Sequence, residues 1–182
     1  IERDKDFDFA KELYLVRRRL EKRIAKQQIS GFYVCSLSFE SIIYKGLFLA
    51  EQLSIFYPDL ANEEFISSFA VFHQRYSTNT FPSWGLAQPF RLLAHNGEIN
   101  TISGNTNWMR NHQTRITTEI FGDDSEQVKP IIEKNVSDSS ALDAAFELYV
   151  RAGRSVPLVK TLLIPEAWSK RSELMPIEHR NM

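Results

Sequence analysis

The run His73-Gln74-Arg75-Tyr76-Ser77-Thr78-Asn79-Thr80, reached through an apolar stretch that starts at Phe65, and the later Arg91-Leu92-Leu93-Ala94-His95-Asn96-Gly97-Glu98-Ile99 decide how this chain is read. Both begin β-prone and end polar. At a period of two, His73, Arg75 and Ser77 share one face of a strand over 65–76, opposite Phe72 and Tyr76. A guanidinium at a strand end, beside hydroxyl groups, suits a carboxylate held by two parallel N–H···O bonds. An ordinary ion pair with a nearby Asp or Glu is the other reading of the same arginine. A further strand over 91–95 leads into Asn96-Gly97. That dipeptide is either a type I′ hairpin turn or a pair of N–H donors, one side-chain and one backbone, aimed at one point as in an oxyanion hole.

Working outward, Phe32 to Ser38 and Ser41 to Gly46 are β-rich and read as a hairpin. Phe48 to Phe56 reads as helical, stopped by Pro58. Before them, Phe9, Leu13, Val16, Leu20 and Ile24 form one apolar stripe of a helix over Asp6 to Lys26, with Arg17, Arg18, Arg19, Glu21, Lys22 and Arg23 on its solvated faces. Downstream, 100–108 is polar and loop-like. Ser137 stands as N-cap of a helix over 138–152, with Leu142, Ala145, Phe146, Tyr149 and Val150 as its apolar stripe and Gly153 as its stop. Another helix spans Val156 to Leu163. Asp138 at the helix start either complements the helix dipole or holds an ammonium group, and Asp143 is expected at the surface. Strands between terminal helices predict an α+β layered sandwich in one domain.

Composition excludes several classes. The 182 residues carry 22 Lys+Arg against 23 Asp+Glu, so the basic excess of a nucleic-acid binder is missing. A hydrophobic content of 43% supports a packed core. No apolar run reaches the roughly 18 residues of a membrane span. Cys35 is the one cysteine, which leaves no intrachain disulfide and no multi-cysteine metal site in these residues. The histidines lack zinc-ligand spacing, so no metal is expected, and no phosphate-cradling glycine pattern occurs. The start at Ile1 and the end at Met182 are expected to belong to an internal segment of a longer protein.

A carboxylate clamp, a donor pair and an ammonium acceptor together match an α-amino acid with a side-chain acyl group. The nucleophile is missing. Cys35 sits within the apolar run Phe32 to Leu37, where a thiol behaves as a small hydrophobe.

The stretch from His73 to Met109, with Ser137 to Asp143, Ile164 to Trp168 and the pair of runs from Phe32 to Gly46, closely resembles the amidotransferase domain of glutamate synthases. Class II glutamine amidotransferases more widely share only the Arg75-Tyr76-Ser77-Thr78, His95-Asn96-Gly97 and Ser137-Asp138-Ser139 pieces. The resemblance implies an N-terminal-nucleophile hydrolase fold, an αββα four-layer sandwich of which 1–182 is a part. The nucleophile-bearing N-terminal segment and a C-terminal remainder would lie outside it. It also implies hydrolysis of L-glutamine to glutamate and ammonia, the ammonia passing to a synthase domain of the same parent chain, which aminates 2-oxoglutarate.

By the same resemblance Arg75 binds the glutamine α-carboxylate and Asp138 its α-ammonium. Asn96 and Gly97 form the oxyanion hole, and Ser77 and Thr78 line the pocket. The family nucleophile is an N-terminal cysteine with its own amine as base, whereas residue 1 here is Ile. The isolated chain is therefore expected to be inactive, and a non-catalytic glutamine-binding protein is the alternative. The segment itself is expected to carry no cofactor. The parent is expected to carry FMN and an iron–sulfur cluster and to pair with a small electron-donating subunit. No nucleic acid or membrane partner is expected, and the location implied is cytoplasm, or plastid in a plant or alga.

Overall fold

Asp8 opens the first helix: its carboxylate accepts the Lys11 N–H at 3.0 Å, satisfying a donor that the helix itself leaves free. Helix α1 then runs Phe9–Lys26. This computed structural model describes residues 8–74, 82–97, 99, 102–134, 136–165 and 175–180, side chains at 116–119 and 179–180 excepted. After α1 come α2 (Leu53–Phe56), α3 (Ile102–Phe121), α4 (Ser125–Val128), α5 (Asp138–Arg151), α6 (Val156–Leu163) and α7 (Ile177–Arg180). Short 3-10 turns at Ala50–Gln52 and Pro58–Ala61 flank α2, and a third, Gly122–Asp124, joins α3 to α4.

The core lies where α1, α3, α4 and α5 meet. Tyr14 and Leu15 of α1, Phe121, Val128, Ile131, Ile132, Ala141 and Leu148 are buried together, with Ile102, Met109 and Val136 packed against them. Tyr14 and Phe121 stack at 6.0 Å between ring centroids, and burial pushes the Tyr14 phenol up to about 12. Helix α6 packs on α5 and buries Val159.

The face that α1 buries is not the apolar stripe expected from its periodicity. Phe9, Val16 and Leu20 are exposed, while Arg17 and Arg18 are buried. The cause is electrostatic pairing from far along the chain. Arg17 meets Glu147 of α5 at 2.5 Å and Glu21 at 2.8 Å. Arg18 donates to the Pro130 carbonyl at 2.6 Å and pairs with Glu21 and Glu133. Buried guanidinium groups need such partners, and with them the arginine face turns inward.

The expected strands are not found among the described residues. Among the described residues of 32–38, 41–46, 65–76 and 91–95 there is no strand, and the four sandwich layers are not formed by the described residues. A strand needs a neighbour to take its alternating N–H and C=O groups, and these segments bond otherwise. Ile43 N–H goes to Ser36 Oγ at 3.0 Å, Phe65 and Ile66 close local turns, and the N–H groups of 91–93 go to a side chain. The aromatics of 44–65 pack on one another instead, Tyr44 on Tyr57 at 4.6 Å and Phe48 on Phe56 at 5.2 Å.

The stretch 102–108, expected as loop, is the first third of the twenty-residue α3. Its inward residues Ile102, Met109, Ile120 and Phe121 are too widely spaced to form a dense stripe. In contrast, α5 and α6 occupy the expected spans. Ser137 Oγ accepts the Ser140 N–H at 3.1 Å, and Gly153 ends α5 in the left-handed region at φ +87°.

Candidate active site

Helix α5 and the residues 88–97 and 99 carry the candidate site. Asp138, first residue of α5, accepts from the Ser139 N–H at 2.7 Å and the Ser139 hydroxyl at 3.2 Å through Oδ1, and from the Ile99 N–H at 3.3 Å through Oδ2. Ser139 Oγ lies 2.8 Å from His95 Nε2, and the His95 N–H donates to Gln88 Oε1 at 2.8 Å. Asn96 and Gly97 thus stand between two anchors, His95 on Ser139 and Ile99 on Asp138. Both are exposed at the surface of the loop. No described residue takes the Asn96 amide or the Gly97 N–H.

The type I′ turn reading of Asn96-Gly97 does not hold. That turn requires positive φ at both residues, and neither has it. The nearest atom to a Cβ added at Gly97 would be His95 Nδ1 at 4.0 Å, so the backbone there is open to an incoming group.

Asp143, expected at the surface, is only 3% exposed. Its Oδ1 accepts the N–H groups of Leu92 at 2.9 Å and Leu93 at 3.0 Å, and its Oδ2 accepts that of Arg91 at 3.2 Å. Burial pushes its carboxyl above the usual range, against the pull of the Leu92 and Arg91 N–H groups. The Arg91 side chain crosses to Glu21 at 3.0 Å and to the Val34 carbonyl at 2.7 Å. Glu21 in turn is opposed by burial, yet Arg17, Arg91 and Arg18 together hold its carboxyl below the usual value. Ser139, Asp143 and Glu147 are four residues apart and all buried, a polar line down one face of α5. Periodicity finds the apolar residues of this helix; the signal for the rest is the acidic residues inside a core-facing helix.

Of the other sequence candidates, Arg75, Ser77 and Thr78 lie outside the described residues. Cys35 is half-buried. No group of three or more metal-ligating side chains occurs among the described residues, and no described helix is long and apolar enough to cross a membrane. A cleft of about 1010 Å³ opens beside α1, lined by Tyr14, Arg17, Tyr33, Arg91 and Glu147 among others. It is a different place from the loop above, since Asn96, Gly97 and Asp138 do not line it.

The family model for class II glutamine amidotransferases matches residues 1–181. The chain belongs to that family. Among its relatives, the glutamate synthase [NADPH] large chain of Azospirillum brasilense is 57% identical over 175 residues, covering 96% of this chain and 12% of the relative. The glutamate synthase [NADPH] large chain of Bacillus subtilis (strain 168) is 45% identical over 169 residues, 93% of this chain and 11% of the relative. The chloroplastic ferredoxin-dependent glutamate synthase of Spinacia oleracea is 44% identical over 176 residues, 96% of this chain and 11% of the relative. The chain therefore spans about an eighth of the length of these proteins or slightly less.

Proposed function

We propose that residues 1–182 are part of one type-2 glutamine amidotransferase domain, the glutaminase portion of a glutamate synthase. The observation that carries this reading is the 57% identity to the Azospirillum brasilense large chain over 96% of this chain. The bracketing of Asn96-Gly97 by His95–Ser139 and Ile99–Asp138 supports it. In the full domain the fold would be the αββα sandwich of the resemblance, with segments 32–46 and 65–76 among its strands.

The chemistry follows from the donor set. The side-chain carbonyl oxygen of L-glutamine points at the Asn96 amide and the Gly97 N–H. A thiolate adds to the carbonyl carbon, and negative charge collects on that oxygen, where preorganised donors are worth most. The C–N bond then breaks, a proton passes to the nitrogen and ammonia leaves. Water cleaves the resulting thioester to glutamate and the free thiol. The thiol is the N-terminal cysteine that the resemblance implies, lying outside residues 1–182, and not Cys35. Asp138 receives the α-ammonium: a carboxylate offers about four acceptor positions, and three are taken by Ser139 and Ile99. Arg75 clamps the α-carboxylate, with Ser77 and Thr78 at the pocket wall.

Ammonia would pass to a synthase domain of the same chain, with electrons from a nicotinamide- or ferredoxin-linked partner. Residues 1–182 do not fit an iron–sulfur cluster, because one cysteine cannot supply its thiolate ligands. The cluster and the FMN that the resemblance implies would be bound elsewhere in the parent, in cytoplasm or plastid. The test is glutamine hydrolysis by the protein at its full natural length. Asn96→Ala should lower kcat by about 10²–10³-fold, the size of a lost oxyanion donor. Turnover unaffected by Asn96→Ala, or no glutamine hydrolysis by the wild type, would overturn the reading.

A further inference from the structure

The helix that supplies Asp138 also holds the loop that supplies Asn96 and Gly97, through a residue expected at the surface. Asp143 collects three consecutive main-chain N–H groups, those of Arg91, Leu92 and Leu93. Among the described residues it is the acceptor for all three. Residues 90–93 form a tight turn closed by Phe90 N–H to the Leu93 carbonyl at 2.8 Å, so the three N–H groups converge on one side. A buried carboxylate is the acceptor with enough lone pairs and charge to take all three. Asn96 begins three residues beyond the last of them, and the intervening His95 is fixed to Ser139, one helical turn before Asp143.

We propose that Asp143 is the positioning residue for the Asn96–Gly97 donor pair: by clamping the 91–93 turn to α5 it sets where those donors point relative to Asp138. The proposal rests on the glutaminase reading above. Asp143 touches no substrate; it acts through the loop. Its effect belongs to the transition state, because a donor displaced by a fraction of an ångström still admits glutamine but no longer meets the developing oxyanion. The ammonium and carboxylate contacts, made by Asp138 and Arg75, are left in place.

The experiment uses the full-length protein with Asp143→Asn, Asp143→Ala, Asn96→Ala and the Asn96→Ala/Asp143→Ala pair. Asp143→Asn keeps an oxygen for Leu92 and Leu93 and loses the acceptor for Arg91, so it provides a folded variant should the alanine variant not fold. For Asp143→Asn we expect kcat for glutamine hydrolysis to fall about 10-fold and for Asp143→Ala about 100-fold, with KM for glutamine within about threefold. In the double variant the losses should not add, since Asp143 acts through Asn96. Amide hydrogen exchange at 91–97 should quicken at least about tenfold, with α6 unchanged.

Additive losses, an unchanged kcat, or a raised KM at constant kcat would overturn the proposal. So would unchanged exchange at 91–97 in either Asp143 variant, whatever the activity. If Asn96→Ala is itself silent, it is the glutaminase reading that fails, and the exchange measurement still decides whether Asp143 holds the loop.

Discussion

Arg17 of α1 and Glu147 of α5 meet at 2.5 Å with both side chains almost wholly buried. They join the first helix to the helix that carries Asp138, across 130 residues of chain. Removing one partner leaves the other charge buried without its counterpart. Glu147→Ala is expected to destabilise the fold by about 3–5 kcal/mol, while Glu147→Gln, which retains a hydrogen-bond acceptor, should cost less. Replacing the pair by Arg17→Met with Glu147→Leu should recover most of that loss, because matched apolar side chains avoid the desolvation of both ions. Chemical denaturation of the three variants checks this; a double variant as weak as Glu147→Ala would show that Arg17 is held mainly by Glu21.

Leu148, next to Glu147, is fully buried in the cluster with Val128, Ile131 and Ala141. Leu148→Ala removes three carbons from a site closed by α1, α4 and α5. The expected loss is about 2–5 kcal/mol, the range for a large-to-small change whose surroundings collapse only in part. Denaturant unfolding should report it as a lower midpoint at unchanged slope. A loss below about 1 kcal/mol would mean that the α1–α5 junction repacks freely.

The elements legible in the sequence are those set by local signals. Ser137, Gly153 and the spacing of Ala145 and Phe146 suffice to place α5, since caps and periodicity act within a few residues. The buried face of α1 is not legible, because Glu147, Glu133 and the Pro130 carbonyl turn its arginines inward from over 100 residues away. Helix α3 is hidden by Asn105, Asn107, Asn111 and Gly104, residues that favour loops unless tertiary packing overrides them. At the proposed site, Asn96, Gly97 and Asp138 are singled out by their motifs, each with a purely structural reading beside the functional one. The role of Asp143 is not, because a carboxylate that accepts main-chain N–H groups leaves no pattern in the residues it binds.

Lys45 provides a prediction above neutral pH. Its ammonium donates to the carbonyls of Trp84 at 2.8 Å and Ala87 at 2.6 Å and lies 4.9 Å from the centre of the Tyr33 ring. Burial pushes its pKa down to about 8, with Arg91 pushing the same way and Cys35 and Asp143 opposing. Between about 8 and the ordinary 10.5 the unfolded chain binds more protons at this residue than the folded one. Stability from Lys45 therefore rises with pH through that window. The unfolding midpoint of the wild type, relative to Lys45→Met, should increase from pH 8 to pH 10. Acetylation followed by mass spectrometry should place half-maximal Lys45 reactivity near pH 8; a midpoint like that of an exposed lysine would show that its ammonium stays hydrated.

Asp138 is asked to do two things, and they can be separated. Its Oδ1 is occupied by Ser139, and the Ile99 N–H on Oδ2 leaves one acceptor position for a ligand. Asp138→Asn keeps the shape and one oxygen but removes the charge. The glutamine α-ammonium would then lose a charged hydrogen bond of about 1.5–3 kcal/mol, so KM in the full-length protein should rise about 10- to 100-fold. The remaining oxygen would keep the Ser139 bonds, and the Ile99 N–H would lose only a long one of 3.3 Å, so the thermal midpoint should fall by less than in Asp138→Ala. Asp138→Ala should raise KM at least as far and also destabilise the fold by about 1–2 kcal/mol, because the Ser139 and Ile99 N–H groups lose their acceptor. A folded Asp138→Asn protein with unchanged KM would assign Asp138 to the loop alone and leave the ammonium to another group.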